Sequence, residues 1–197
     1  MKYKLKSAGI IAALIMIFGA AAFFANESTA QGKTYKIGDK GPAGGWVFYD
    51  KGNSDGGWRY LEAAPVDQSN EDGAWGCYRK SIPGAKGTAI GTGKSNTRAI
   101  VKSCGEAKIA AKLCTAYRGG GKSDWFLPSK DELDLMHKNL HVKGVGGFAG
   151  RYYWSSSEYD ADDAWGQMFA DGIDAGFQDG TGKYDTYWVR AVRAFNN

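Results

Sequence analysis

The chain has 197 residues, a formal net charge of +4, 29 glycines and 14% aromatic residues. That length allows one domain with a sizeable core, and glycine at about twice its usual ~7% beside many aromatics points to a turn-rich fold of short strands, not a helical bundle. The mild charge falls to +2 for a chain starting at Gln31 and gives no argument for nucleic acid as a partner.

The N-terminus reads as a targeting segment. Lys2, Lys4 and Lys6 precede an uncharged apolar run from Ala8 to Ala25, and Ser28-Thr29-Ala30 puts small residues at −3 and −1 before Gln31. The pattern predicts a signal peptide over 1–30, a linker over 31–40 and a domain over 41–197. It also predicts export, to the periplasm, the cell surface or the medium. The apolar run is long enough to span a bilayer, so an uncleaved N-terminal anchor is the alternative and the one expected route to a membrane. No cysteine lies near the cut, which argues against a lipid anchor.

In the domain, Tyr35 to Lys40 leads into the turn Gly41-Pro42-Ala43-Gly44-Gly45. Trp46 to Asp50 and Trp58 to Ala63 read as strands joined by a turn rich in Gly, Asn and Asp. Pro65 to Gly93 is long, polar and without period, and a loop of that length in a compact domain is usually functional or held by something. Ser95 to Ser103 and Glu106 to Tyr117 read as helices, the second ended by Gly119-Gly120-Gly121. Asp124-Trp125-Phe126-Leu127 is a strand-like run stopped by Pro128. Ser129 then opens a helix, with Glu132 placed to close a capping box and Asp131 and Glu132 in the first turn, where the helix dipole favours negative charge. Leu133, Met136 and Leu140 share one face of it. Lys143 to Gly150 is a glycine-rich loop. Tyr153 to Glu158, Ala164 to Phe169 and Tyr187 to Phe195 read as strands, and Asp171-Gly172 is a hairpin signal. The last strand is expected in the middle of a sheet, with carboxylates satisfying Arg190 and Arg193.

These motifs carry a resemblance. Asp-Trp-Phe-Leu-Pro-Ser-Lys-Asp-Glu-Leu at 124–133, Tyr-Trp-Ser-Ser-Ser-Glu at 153–158 and Trp-Val-Arg-Ala-Val-Arg-Ala-Phe at 188–195 resemble, in order and spacing, the Lcl C-terminal (FISUMP-type) domain of bacterial surface proteins. Gly-Gly-Trp-Val-Phe-Tyr at 44–49 and Trp-Arg-Tyr-Leu-Glu-Ala-Ala-Pro at 58–65 are similar to its N-terminal part, so the likeness covers roughly residues 37–195. It implies an α+β, C-type-lectin-like fold of the formylglycine-generating-enzyme branch, with short twisted antiparallel strands and two to three helices. It implies binding more readily than catalysis. The formylglycine-generating relatives use redox cysteines late in the chain, and none lies beyond Cys114 here.

The three cysteines are Cys77, Cys104 and Cys114. If Cys104 and Cys114 bracket a helix they lie ~15 Å apart, beyond the ~7 Å Cα reach of a disulfide. Cys77 is then one partner of any bridge, and Cys104, beside Gly105 at a helix boundary, is the preferred other. Three reduced cysteines are the alternative. Cys114 reads as a buried free thiol.

Other chemistry finds little support. Ala116 to Ser123 fits a relaxed phosphate-loop pattern but lacks a strand before it and a helix after it. His137 and His141 share a helix face without a third ligand nearby, and read as surface residues. Gly52-Asn53-Ser54-Asp55-Gly56 fits Gly-x-Ser-x-Gly, but it lies in the turn between two expected strands and not on the strand-to-helix elbow that a nucleophilic serine needs. No calcium-loop spacing organises Asp160, Asp162, Asp163, Asp171, Asp174, Asp179 and Asp185. No metal and no cofactor is expected.

Charge and composition single out one segment. Tyr78 to Lys143 carries a net +8, whereas Arg151 to Tyr187 carries −6. Between 159 and 187, Asp, Ala, Gly, Tyr and Thr supply 21 of 29 residues, and Asn is absent. All five are reached from an Asn codon by changing adenines alone. The resembled family often has Asn at such positions, so adenine-directed mutagenesis by a diversity-generating retroelement would leave this mixture. Plain loop chemistry also explains it. Rigid aromatics among small polar residues suit a binding loop. The expected ligand-binding set is Tyr159, Asp160, Asp162, Asp163, Trp165, Asp171, Asp174, Phe177, Gln178, Tyr184 and Tyr187, directed at an extracellular protein or glycan. A hydrolase of the same fold and a structural envelope protein are the alternatives.

Overall fold

The computed structural model describes residues 32–197; the signal peptide, its cut site and the anchor alternative lie outside the described residues. The strands are β1 (Trp46–Asp50), β2 (Tyr60–Ala63), β3 (Ser69–Ala74), β4 (Tyr152–Glu158), β5 (Asp163–Met168), β6 (Gln178–Gly182), β7 (Thr186–Val189) and β8 (Val192–Phe195). The α-helices are α1 (Gly93–Ser103), α2 (Ala110–Ala116) and α3 (Lys130–Asn139). The class is α+β.

Two sheets result, one of three strands in the order β1-β2-β8 and one of five in the order β3-β7-β4-β5-β6. All pairings are antiparallel except a parallel contact of β4 with β7 at Tyr153 and Trp188. Trp75, Trp125, Trp154, Ile100, Ile109 and Cys114 are buried in one core cluster with the inner faces of α1 and α2. Phe48, Leu61, Phe126, Leu133, Met136, Tyr153 and Phe169 form a second one beneath α3.

The capping box at the start of α3 is present in full. The Ser129 hydroxyl accepts from the Glu132 amide at 3.3 Å, and the Glu132 carboxylate accepts from the Ser129 amide at 2.8 Å. The junction is wired further: the Ser156 amide donates to Pro128 O at 2.7 Å, the Leu127 amide to Thr97 Oγ1 at 3.0 Å and the Lys130 amide to Ser157 Oγ at 3.0 Å. Trp125 is 2% exposed. Its neighbour Phe126 exchanges both backbone hydrogen bonds with Val192, so the expected strand at 124–127 amounts to a single bridge onto β8.

Four expectations are corrected. The polar stretch 65–93 contains β3, whose Ser-Asn-Glu-Asp-Gly-Ala sequence lacks alternation because the strand is bulged between Ser69 and Gly73, with Glu71 at φ 69°. The segment 159–187 contains β6, a glycine-rich edge strand. The final strand is two: Arg190 and Ala191 break it, so β7 is central in one sheet while β8 edges the other. The histidines are not at the surface. His137 is 5% exposed, and the His141 ring packs 5.3 Å from that of Phe169, because the loops after α3 and β5 fold over the last turn of the helix.

The break at 190–191 is held by the expected carboxylates. Arg190 binds Asp67 and the carbonyls of Ala64 and Gly146. Arg193 bridges Glu62 at 2.7 Å and Asp124 at 2.8 Å. Cys77 and Cys104 are disulfide-bonded, and Cys114 is free and buried. Among the described residues, no helix is long and apolar enough to cross a membrane.

Candidate functional site

Successive residues of a strand point to opposite sheet faces, and that alternation distributes the expected binding residues. On β5, Trp165 and Gln167 face α3. The Lys130 ammonium sits 4.8 Å from the Trp165 ring centroid, and Gln167 donates to Asp134 at 3.1 Å. Tyr159 packs edge-on to Trp165 at 5.0 Å, and its ring crosses Gly180 of β6 so closely that a Cβ there would lie 3.0 Å from it. Gln178 donates to Lys130 O at 2.9 Å and to Gln167 at 3.1 Å, which fastens β6 to the start of α3.

The opposite face carries Tyr187. Its ring stacks on Tyr152 with centroids 5.2 Å apart and lies 4.5 Å from Trp154. Gly166 sits beside both tyrosines, leaving room for their rings. A shallow cavity next to the pair is lined by Glu71, Arg151, Met168, Thr186 and Trp188. An Arg151–Glu71 ion pair at 3.0 Å closes one side, and Glu71 is one of three non-glycine residues at positive φ among the described residues. Such backbone strain clusters at binding sites.

Two more groups stand apart. Tyr184 is 64% exposed and packs edge-on to Tyr78 at 4.9 Å. Asp171, Asp174 and Phe177 belong to the β5–β6 connection, with Phe177 54% exposed. Asp160 accepts from the Asp162 and Asp163 amides at 2.8 Å each and so holds the β4–β5 turn. The eleven residues therefore make an aromatic patch on the α3 side, a tyrosine stack on the other side and exposed groups at the two opposite ends of the β5–β6 pair.

The end of that pair beside the β4–β5 turn is anchored by Lys183, which sequence reasoning left in a loop. Lys183 is fully buried. Its ammonium binds Glu158 at 2.7 Å, Ala161 O at 2.9 Å and Lys80 O at 3.1 Å, and lies 4.8 Å from the Trp75 ring centroid. Glu158 also accepts from the Ile82 amide at 2.7 Å and from Ser81. Tyr152, Arg151 and Glu71 were also missed; the first two precede the motif at 153–158, and only β3 brings Glu71 near them.

Burial, then the neighbouring Tyr187, Asp179 and Asp174, push the Tyr152 phenol upward. Burial does the same for Tyr187. Both hydroxyls therefore stay protonated and can donate. Asp160 is held below the usual carboxylate range by the amides of Asp163 and Asp162. Asp163 is raised by burial and then by Asp160, Asp162 and Asp185. Neither histidine hydrogen-bonds a serine or cysteine among the described residues; both Nε2 atoms lack hydrogen-bond partners, and that of His141 lies 3.8 Å from Asp171. Burial pushes the Cys114 thiol far up, away from the thiolate. Among the described residues, no group of three or more His, Cys, Asp and Glu side chains is placed to hold a metal ion. No protein-family model matches this chain, and no curated protein matches it at a significant level.

Proposed function

We propose that this is an exported, non-enzymatic ligand-binding protein with a C-type-lectin-like fold, similar to the Lcl C-terminal type, that recognises an extracellular protein or glycan through the 159–187 surface. The observation that carries the reading is the contrast within that segment. Tyr159, Phe177 and Tyr184 are half to two-thirds exposed, while Lys183, Gln167 and Phe169 between them are fully buried. Aromatics displayed on a fixed framework lose little entropy on binding.

Retroelement diversification fits the same division. Asp160, Asp162, Asp171, Asp174, Asp179 and Tyr184 belong to the five residue types and are exposed; Ala164 and Gly166 are buried exceptions. A near-copy of the 3′ end of the gene beside a reverse transcriptase gene would support that origin, and its absence from the genome would remove it.

One observation favours a hydrolase instead. Glu132 lines a cleft with its pKa raised by burial to about 7, in the range of a general acid. Its carboxylate, however, accepts from the Gly91 and Ser129 amides at 2.8 Å each, as a helix cap. The binding reading is tested by a paired scan of Tyr159→Ala, Phe177→Ala and Tyr184→Ala, with melts and binding measured against a partner isolated by pulldown. Retained stability with lost binding is expected. Variants that bind like the parent would remove the 159–187 surface as the site.

A further inference from the structure

The cavity of about 270 Å³ between α1 and the three-stranded sheet lies outside the 159–187 surface. Leu61 from β2, Ala194 from β8 and Phe126, locked by its double hydrogen bond to Val192, lie at its base; Leu61 and Phe126 are 1% and 3% exposed, so the apolar surface it offers comes mostly from Ala194 and Trp58. One wall is the indole of Trp58. Gly56, Gly57 and Gly91 complete that wall at φ values of 70°, 82° and 93°, a region that strongly favours glycine. No atom lies within 4 Å of where a Cβ would stand at Gly56 or Gly57, so this side is low and open.

The opposite rim is formed by Lys94 and Arg98, one helical turn apart on α1. Neither has an ion-pair or hydrogen-bond partner among the described residues; Asp124, which lines the adjoining cavity with both and feels the Lys94 charge, is bound to Arg193. Among the described residues, Arg59, Lys130, Lys138, Arg151, Lys183, Arg190 and Arg193 are paired with carboxylates, and the other basic side chains, like Lys94 and Arg98, are not. Glu132, the one carboxylate that lines the cavity, is fully buried and committed to backbone amides. An unpaired surface cation is ordinary by itself. Two of them over a preformed apolar floor with an indole wall are the parts of a site that takes an anion with an apolar body.

We propose that this cavity binds a small amphipathic organic carboxylate. A single planar ring would lie against Trp58 and over Ala194, and the carboxylate would reach Lys94 and Arg98. The volume is just below the usual ~300–1,000 Å³ of ligand pockets, which limits the occupant to about one ring and its substituents. The carboxylate explains the cations, and the ring explains the floor. A bare anion would leave the floor wet, and a neutral ring would leave the cations unused.

The test is an amide-detected NMR titration of the purified full chain with three probes: benzoate, benzamide and inorganic phosphate. Benzoate is expected to shift the signals of Gly57, Trp58, Gly91 and Lys94 saturably. Benzamide and phosphate should each bind at least about tenfold more weakly, the factor expected from loss of one charge-assisted contact or of the buried ring. Arg98→Gln should weaken benzoate about tenfold with an unchanged melting temperature, because the arginine is exposed and makes no bond that folding needs. Lys94→Gln serves as a second variant with the same expected result. Absence of shifts at those residues, benzamide or phosphate binding as well as benzoate, or benzoate affinity unchanged in both variants would overturn the proposal. None of these outcomes bears on the 159–187 surface.

Discussion

The junction at 124–140 and the segment at 159–187 are both rich in polar residues, yet they use them in opposite ways. At the junction the polar groups turn inward. Ser129 and Glu132 satisfy each other's amides, Thr97 and Ser157 serve neighbouring backbone, and all four side chains are buried or nearly so. In the segment the carboxylates turn outward, and those that bond do so mostly within their own turn, as Asp160 and Asp179 do. Polarity in this chain therefore has two structural meanings. Where a side chain reaches an amide fixed by a helix start, it specifies geometry. Where it reaches only its own loop, it leaves the surface free to vary, provided that a few buried residues hold the framework.

That comparison can be broken most sharply at the two anchors. Lys183→Ala would leave Glu158 buried without its cation and is expected to cost about 3–5 kcal/mol in a denaturant melt. Trp125→Ala at the junction should cost about 3–5 kcal/mol as a core truncation. A near-neutral Lys183→Ala would mean that the segment is not clamped. A near-neutral Trp125→Ala would mean that the junction does not organise the core.

Next in size is the effect on recognition. Alanine at Tyr159, Phe177 or Tyr184 should change stability by no more than about 0.5 kcal/mol, while one or two of them cost about 2 kcal/mol or more in partner binding. Unfolding by these changes would erase the contrast between framework and display. Ser129→Ala follows at about 1 kcal/mol through the lost cap. A cost well above that, seen by the same melts, would show that its second bond, to Ala89 O at 3.0 Å, matters more than the cap.

The smallest effect is a slope with pH. Burial first, and for His137 also its neighbour His141, lower both histidines below their ordinary 6.5. The native state then binds fewer protons than the unfolded chain, so their contribution is present above about pH 6.5 and falls as pH drops through the folded values. Glu132 has the opposite sign: its raised pKa gives stability below the unfolded 4.5 that is lost as pH rises through about 7. Comparing melts of parent and His137→Gln between about pH 7.5 and about pH 5 cancels the Glu132 part. The parent should lose stability relative to the variant on acidification. Parallel curves would place His137 back in solvent.

Sequence alone determined the features that rest on near neighbours along the chain. The capping box needs Ser129 and Glu132 three residues apart, and that spacing is a property of helical geometry, so it was legible before any fold was known. β1 was legible to the residue, and β4, β5 and the core position of Trp125 nearly so, because alternation and aromatic runs report burial locally. The Cys77–Cys104 bridge was legible only as a preference: the expected helix from Glu106 starts at Ala110, so it does not run the whole way from Cys104 to Cys114. The displayed aromatics were legible as types, but not as three separate groups.

Only the tertiary structure decided the rest. β3 and β6 carry no pattern of their own, and exist because β7 and β5 offer them a ladder. The break at Arg190 depends on Asp67, more than a hundred residues away, and the burial of Lys183 depends on Glu158 and Trp75. The histidines are covered by loops that no helix periodicity announces. In each case the deciding contact joins residues whose sequence separation erases any local signal. The free energy of pairing strands or burying a charge comes from that distant partner, and a linear reading does not contain it.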